Sequence, residues 1–270
     1  MDWGWRLRRL ERIFRARLSL LGPAGMSLLG AKGPLLRMEY PGAPLSRTLL
    51  ILLPGIGDLA EDFERHGFIH ELQRLQPEVH AVAVDAHYGY YHTHALFDRL
   101  TEDVLVAANA AGYTELWLAG ISMGGLGAAA FAAHHPGRLA GLIMLAPYPG
   151  EAQVVREIQA AGGLMRWHAQ PSGPHDISRR TWLWLRNQAV LASRGTQLWL
   201  GYGGDDRFAP GNALLGQVLP PERVAVLPGG HNWATWRKLW RVMMERQPFN
   251  HAAHDETHAS SQAFRQKRPL

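Results

Sequence analysis

The chain has 270 residues, 47% of them hydrophobic, enough for one large domain with a substantial core. It has no cysteine, which excludes disulfides, thiolate metal ligands and a thiol nucleophile. Residues 1–37 hold eight Lys and Arg against Asp2 and Glu11, a surplus of six, so the net charge of +5 leaves the remainder at −1. A body without a basic surplus offers no footprint for nucleic acid.

Residues 1–34 form a basic amphipathic segment. Leu7, Leu10, Phe14, Leu18 and Leu21 recur at helical spacing with arginines between them, behind Trp3 and Trp5. Such a helix either packs on the protein body or lies on an anionic membrane surface. Peripheral membrane contact through residues 1–21 is therefore one expectation. Pro23 and several glycines interrupt the apolar stretch, and no small-residue cleavage site is evident, which counts against a removed targeting peptide. No run reaches the roughly 18 apolar residues of a membrane span. The expected location is the cytoplasm, with or without contact to the inner face of a membrane.

Residues 35–40 read as an early strand and 41–44 as a turn. Thr48 to Leu53 is an apolar run of the buried-strand type. Residues 59–75 read as one helix, 79–85 as a strand and 95–111 as a helix. Leu116 to Gly120 and Leu139 to Leu145 are further apolar strands. Residues 147–195 exceed a single crossover helix and are predicted to form a small helical cap. The runs beginning at Gln197 and at Val224 each read as a strand followed by a loop, and a helix-like segment starts at Trp233. From residue 249 the chain is polar, and a disordered tail is expected. Strands alternating with helices predict an α/β fold, with a mostly parallel twisted sheet flanked by helices. Continuous apolar strands suit a sheet buried on both faces.

The chemistry is carried by Gly120-Ile121-Ser122-Met123-Gly124, set between an apolar strand and a small-residue helix start. A serine hydroxyl is a poor nucleophile until a sharp turn exposes it and a base takes its proton. A glycine-flanked strand-to-helix turn provides the first condition.

In this motif and its context the chain resembles the α/β-hydrolase fold superfamily over roughly residues 35–248. The family's triad runs Ser, then Asp or Glu, then His, on loops after successive strands. The strand that begins at Gln197 leads into the acidic loop with Gly204-Asp205-Asp206-Arg207-Phe208-Ala209-Pro210, and the strand that begins at Val224 leads into the loop with Pro228-Gly229-Gly230-His231. The family's acid loop commonly reads Asp-x-x-x-Pro. Asp206 with Pro210 fits that spacing, whereas Asp205 is expected as a loop or cap residue. The resemblance thus implies Ser122 as nucleophile, His231 as base and Asp206 as the acid. Pro54-Gly55-Ile56-Gly57-Asp58 resembles the family's His-Gly-x loop, with Pro54 where His is common. By the same resemblance the Ile56 and Met123 backbone amides would form the oxyanion hole, and Thr48–Leu53 would be the third strand.

The implied function is a serine hydrolase cleaving a carboxylic ester or thioester through an acyl-enzyme. An acyltransferase, a peptidase and a membrane-surface lipid esterase use the same scaffold. A non-catalytic binding protein is the reading from another class. Tyr88, Tyr90 and Tyr91, with His87, His92 and His94, follow a strand end on the face where open α/β sheets bind ligands, and could line a substrate pocket. His92 with His94 is a weak metal signal, as are His251, His254, Asp255 and His258 in the tail. No Gly-Lys-Ser/Thr phosphate loop occurs. Neither cofactor nor metal is expected. The partner is a small ester or thioester, with no nucleic acid.

Overall fold

A computed structural model describes residues 33–173, 175–191 and 195–249. The N-terminal segment up to residue 32, with its membrane-contact expectation, lies outside the described residues. So do residues 250–270 and the histidines of the tail.

Seven strands form one sheet: β1 (Arg37–Tyr40), β2 (Thr48–Leu53), β3 (His80–Val84), β4 (Glu115–Ile121), β5 (Gly141–Leu145), β6 (Gln197–Gly203) and β7 (Val224–Leu227). Their order is β1-β3-β2-β4-β5-β6-β7. Only β1 runs antiparallel to its neighbour; all other pairs are parallel. Thr48–Leu53, third by resemblance, is second among the described strands.

The central strands β4, β5 and β6 are buried along nearly their whole length. Their unbroken apolar runs are what burial on both faces requires. Register is fixed partly by volume: Trp117 on β4 faces Gly141 on β5, whose missing side chain makes room for the indole.

The helices are α1 (Ala60–Arg65), α2 (Phe68–Leu75), α3 (Tyr88–His92), α4 (Leu96–Leu100), α5 (Val106–Ala110), α6 (Met123–His134), α7 (Ala152–Ala160), α8 (Ile177–Leu191), α9 (Ala209–Gly216) and α10 (Trp233–Glu245). The single helix predicted over 59–75 is broken into α1 and α2. Gly67 adopts a left-handed φ of 80° there, which ends one helix and starts the next. The helix predicted over 95–111 is interrupted by a π-helical turn at Thr101–Leu105. A periodicity reading sees only the apolar spacing and is blind to such a shift.

Residues 147–195 supply α7, a short 3-10 turn (Leu164–Arg166) and α8. Helix α8 packs on α6, and α7 on α9. Asp176 caps α8. It accepts the Arg179 amide at 3.1 Å, the Ser172 amide at 2.9 Å and the Arg179 guanidinium at 3.0 Å. Burial opposes its charge, but these bonds outweigh burial and hold the carboxyl at about 2. Asp176→Ala is expected to cost about 1 kcal/mol, within the usual range for a lost N-cap. A folded-state value below the unfolded one means the contribution is complete above about pH 4 and is lost as pH falls toward 2. Thermal melts of both proteins between pH 2 and 7 should therefore converge at the acid end. Parallel melting curves at every pH would refute the cap's ionic role.

Candidate active site

Ser122 occupies the turn between β4 and α6. Its φ of 52° and ψ of −115° are strained for a residue with a side chain. The turn is held by the Ser122 amide donating to Leu145 O at 3.0 Å, and by the Tyr148 amide donating to Ser122 O at 2.9 Å. The flanking glycines are a steric necessity. A Cβ on Gly120 would strike the Gly124 backbone, and one on Gly124 would strike Leu53 O and Pro54 O. The small residues of the motif let the loop after β2 lie directly against the start of α6.

His231 and Asp206 come from loops after β7 and β6. His231 Nε2 lies 2.9 Å from Ser122 Oγ, and Nδ1 lies 2.7 Å from Asp206 Oδ2. The Asp206 side chain is fully buried, and its Oδ1 accepts the Phe208 amide at 2.8 Å. With Nδ1–H directed to a carboxylate, Nε2 is left as an acceptor for the serine hydroxyl. The imidazole is also gripped edge-on by Phe208 and Trp236, each with its centroid 5.0 Å away. Asn232 caps α10 by accepting the Thr235 amide at 3.1 Å, which sets where His231 leaves the helix. Asp205 does different work: its carboxylate accepts the Gly229 amide and ties the two loops together.

Gly55 to Asp58 make a tight turn closed by the Asp58 amide donating to Gly55 O at 3.1 Å. Gly57 has φ of 84° at the third position, the pattern of a type II turn. The Ile56 amide, at the second position, and the Met123 amide, the first of α6, make no backbone hydrogen bond among the described residues. Both are orphan donors beside Ser122.

A cavity of about 530 Å³ starts at Met123 and Tyr148 and runs along α6 over Leu126, Ala130 and His134. One wall is the segment 88–98, including Tyr88, Tyr91, His92 and His94; the other is residues 148–151 and the start of α8. The aromatic segment singled out in the sequence thus lines a pocket beside the serine. No cluster of three or more metal-binding side chains occurs among the described residues. No described helix is long and apolar enough to cross a membrane. The contacts of His231 with Phe208 and Trp236 escaped the sequence reading. So did any role for Asp58, although an acid inside the oxyanion loop is visible in sequence.

A family model described as serine aminopeptidase, S33, matches residues 46–197, more than half of the chain. The chain belongs to this family of α/β-hydrolases. This serine hydrolase has no match among curated proteins. Solved structures share its fold at low identity. The apoenzyme of S-formylglutathione hydrolase (FrmB) from Staphylococcus aureus aligns with a TM-score of 0.51 and 16% identity, over 77% of this chain and 81% of that one. A ferulic acid esterase aligns at 0.51 and 16%, over 74% and 86%. Est1E from Butyrivibrio proteoclasticus aligns at 0.50 and 21%, over 83% and 95%. At these identities the likeness concerns the fold of the hydrolase and not its substrate.

Proposed function

We propose that the protein hydrolyses carboxylic esters or thioesters, with Ser122 as nucleophile, His231 as general base and acid, and Asp206 as the orienting carboxylate. The observation that carries this reading is the continuous chain from Ser122 Oγ through the imidazole to a buried carboxylate, at 2.9 and 2.7 Å. In acylation Nε2 takes the hydroxyl proton as Oγ bonds to the carbonyl carbon, and the carbonyl electron pair moves onto oxygen. Ile56 and Met123 amides receive that oxyanion. Collapse of the intermediate expels the alkoxide or thiolate, which leaves with the proton from His231. Water then repeats the two steps on the acyl-enzyme.

Preformed donors matter because they need no reorganisation when charge develops. Ile56→Pro tests one of them cleanly. Proline lacks the N–H yet fits the second position of a type II turn. The variant should keep its melting temperature and lose roughly 10²–10³-fold in kcat on 4-nitrophenyl esters. Full activity would remove Ile56 from the oxyanion hole. Fluorophosphonate labelling of the wild type, located by mass spectrometry, tests the nucleophile; absence of label on Ser122 would sink the reading.

The family's description as a serine aminopeptidase favours a second reading, amide cleavage at a peptide N-terminus. Aminoacyl 4-nitroanilides measured beside matched 4-nitrophenyl esters separate the two.

A further inference from the structure

The oxyanion loop holds a carboxyl that the acyl-transfer steps do not use. Asp58 is half-buried, and its Oδ1 accepts the Trp233 indole N–H at 3.3 Å. Oδ2 has no hydrogen-bond partner among the described residues, and the carboxyl has no ion pair there. The point where a Gly55 Cβ would sit lies 2.7 Å from Asp58 Oδ2 and 3.7 Å from Ser122 Cβ. Carboxyl and nucleophile therefore flank the same small space. Burial raises Asp58 to about 6, against the Trp233 bond and with help from the Asp62 charge. The other charged groups nearby offer no counter-ion. Arg65 is taken by Asp62, and Arg237 lies outside, along Gly67. His66 stacks on Trp233 at 4.3 Å, and burial lowers its basicity.

At neutral pH an anion thus stands beside the place where an oxyanion develops. That arrangement raises the barrier for a neutral substrate, because two like charges are brought together in a site partly shielded from water. A substrate that carries its own positive charge converts the repulsion into attraction. Which end of the substrate meets Asp58 follows from the histidine. His231 must deliver its proton to the leaving atom, so the leaving group lies on the His231 side of Ser122. Asp58 is bonded to Trp233, the first residue of α10, and the loop leading into that helix carries His231, so we assign Asp58 to the leaving-group side. The cavity along α6, lined by Met123 and Tyr148 but by neither Asp58 nor Trp233, is left for the acyl group.

We propose that Asp58 is a specificity residue selecting esters whose leaving alcohol carries an ammonium centre close to the ester oxygen. This deepens the hydrolase reading above and rests on it. The test uses two butyrate esters of matched shape, one of choline and one of 3,3-dimethylbutanol, which differ in charge alone. Acid release is followed in a pH-stat. At pH 8 the wild type should favour the choline ester in kcat/KM by about tenfold. Asp58→Asn, which keeps an acceptor for Trp233, should erase that preference by slowing the choline ester and speeding the neutral one. Asp58→Glu should restore part of it, and the wild-type preference should shrink below pH 6. Equal ratios in wild type and Asp58→Asn overturn the proposal. So does an Asp58-dependent charge preference seen only in the acyl group, tested with 4-nitrophenyl esters of betaine and of 3,3-dimethylbutanoate.

Should Asp58→Asn fail to fold, inhibition of wild-type 4-nitrophenyl butyrate turnover by choline and by 3,3-dimethylbutanol gives the same information. Stronger inhibition by choline that fades below pH 6 supports the assignment, and equal inhibition overturns it. Failure of every ester together with absent fluorophosphonate labelling overturns the hydrolase reading itself, and is told apart by the missing label.

Discussion

Ser122→Ala is expected to lower kcat on 4-nitrophenyl esters by about 10⁴–10⁶-fold while the protein stays folded. In the proposed mechanism the hydroxyl is the atom that bonds to carbon, so its loss would leave only binding and the proposed oxyanion amides to act on a bound water. His231→Ala should cost about as much, and the double variant little more than either. If the three groups joined by the contacts at 2.9 and 2.7 Å act as one unit, removing a second member after the first takes away nothing further. Single-turnover kinetics on the three proteins checks this. Additive losses would mean that serine and histidine act independently and that the chain of contacts is not the catalytic device. Folding should be spared, or slightly improved. The strained φ of 52° at Ser122 persists for function, and alanine carries the same Cβ without adding volume.

The second large effect comes from one methyl group. Gly124→Ala would drive a Cβ into Leu53 O and Pro54 O, both backbone atoms with no rotamer to yield. Overpacking of this kind costs about 1–3 kcal/mol or more. In a domain of this size that is a melting temperature lower by roughly 2–12 °C. Catalysis should suffer more than stability. Leu53 and Pro54 lead into Gly55 and Ile56, so relieving the clash moves one oxyanion donor away from the other. Misplacement by about 1 Å is enough to cost around 10²-fold. Calorimetry with kcat measurements on the same preparation gives both numbers. A variant with an unchanged melting temperature and full kcat would show that the loop after β2 and the start of α6 are not in contact as described. Ala130 offers a contrast. It lies on the same helix against the 530 Å³ cavity, where a larger side chain has space to enter, so changes there should act on substrate choice before stability.

Much of this molecule was legible in the chain itself, for local reasons. A strand buried on both faces must be apolar throughout, so residues 48–53, 116–120 and 139–145 announce a parallel sheet. A nucleophile on a sharp strand-to-helix turn needs glycines on both sides, so Gly120 and Gly124 mark Ser122. Proline opening a helix four residues after an acid separated Asp206 from Asp205, and the structure gives the two aspartates different partners, His231 and the Gly229 amide. Helix boundaries were less legible. The break at Gly67, where φ is left-handed, and the π turn at Thr101–Leu105 leave the apolar spacing unchanged, so it does not record them.

What only the tertiary structure decided is everything made by side chains far apart in sequence. The aromatic grip on His231 joins Phe208 with Trp236 across two loops. The cavity needs segment 88–98, α6 and the start of α8 in one place. Asp58 and Trp233 stand 175 residues apart, and no local pattern in either stretch predicts that one indole will hold the other's carboxylate beside the nucleophile. Local sequence determines strand, turn and motif because those depend on neighbours within a few residues. Substrate selection depends on which loops the folded sheet brings to the same edge, and that is decided by packing over the whole chain.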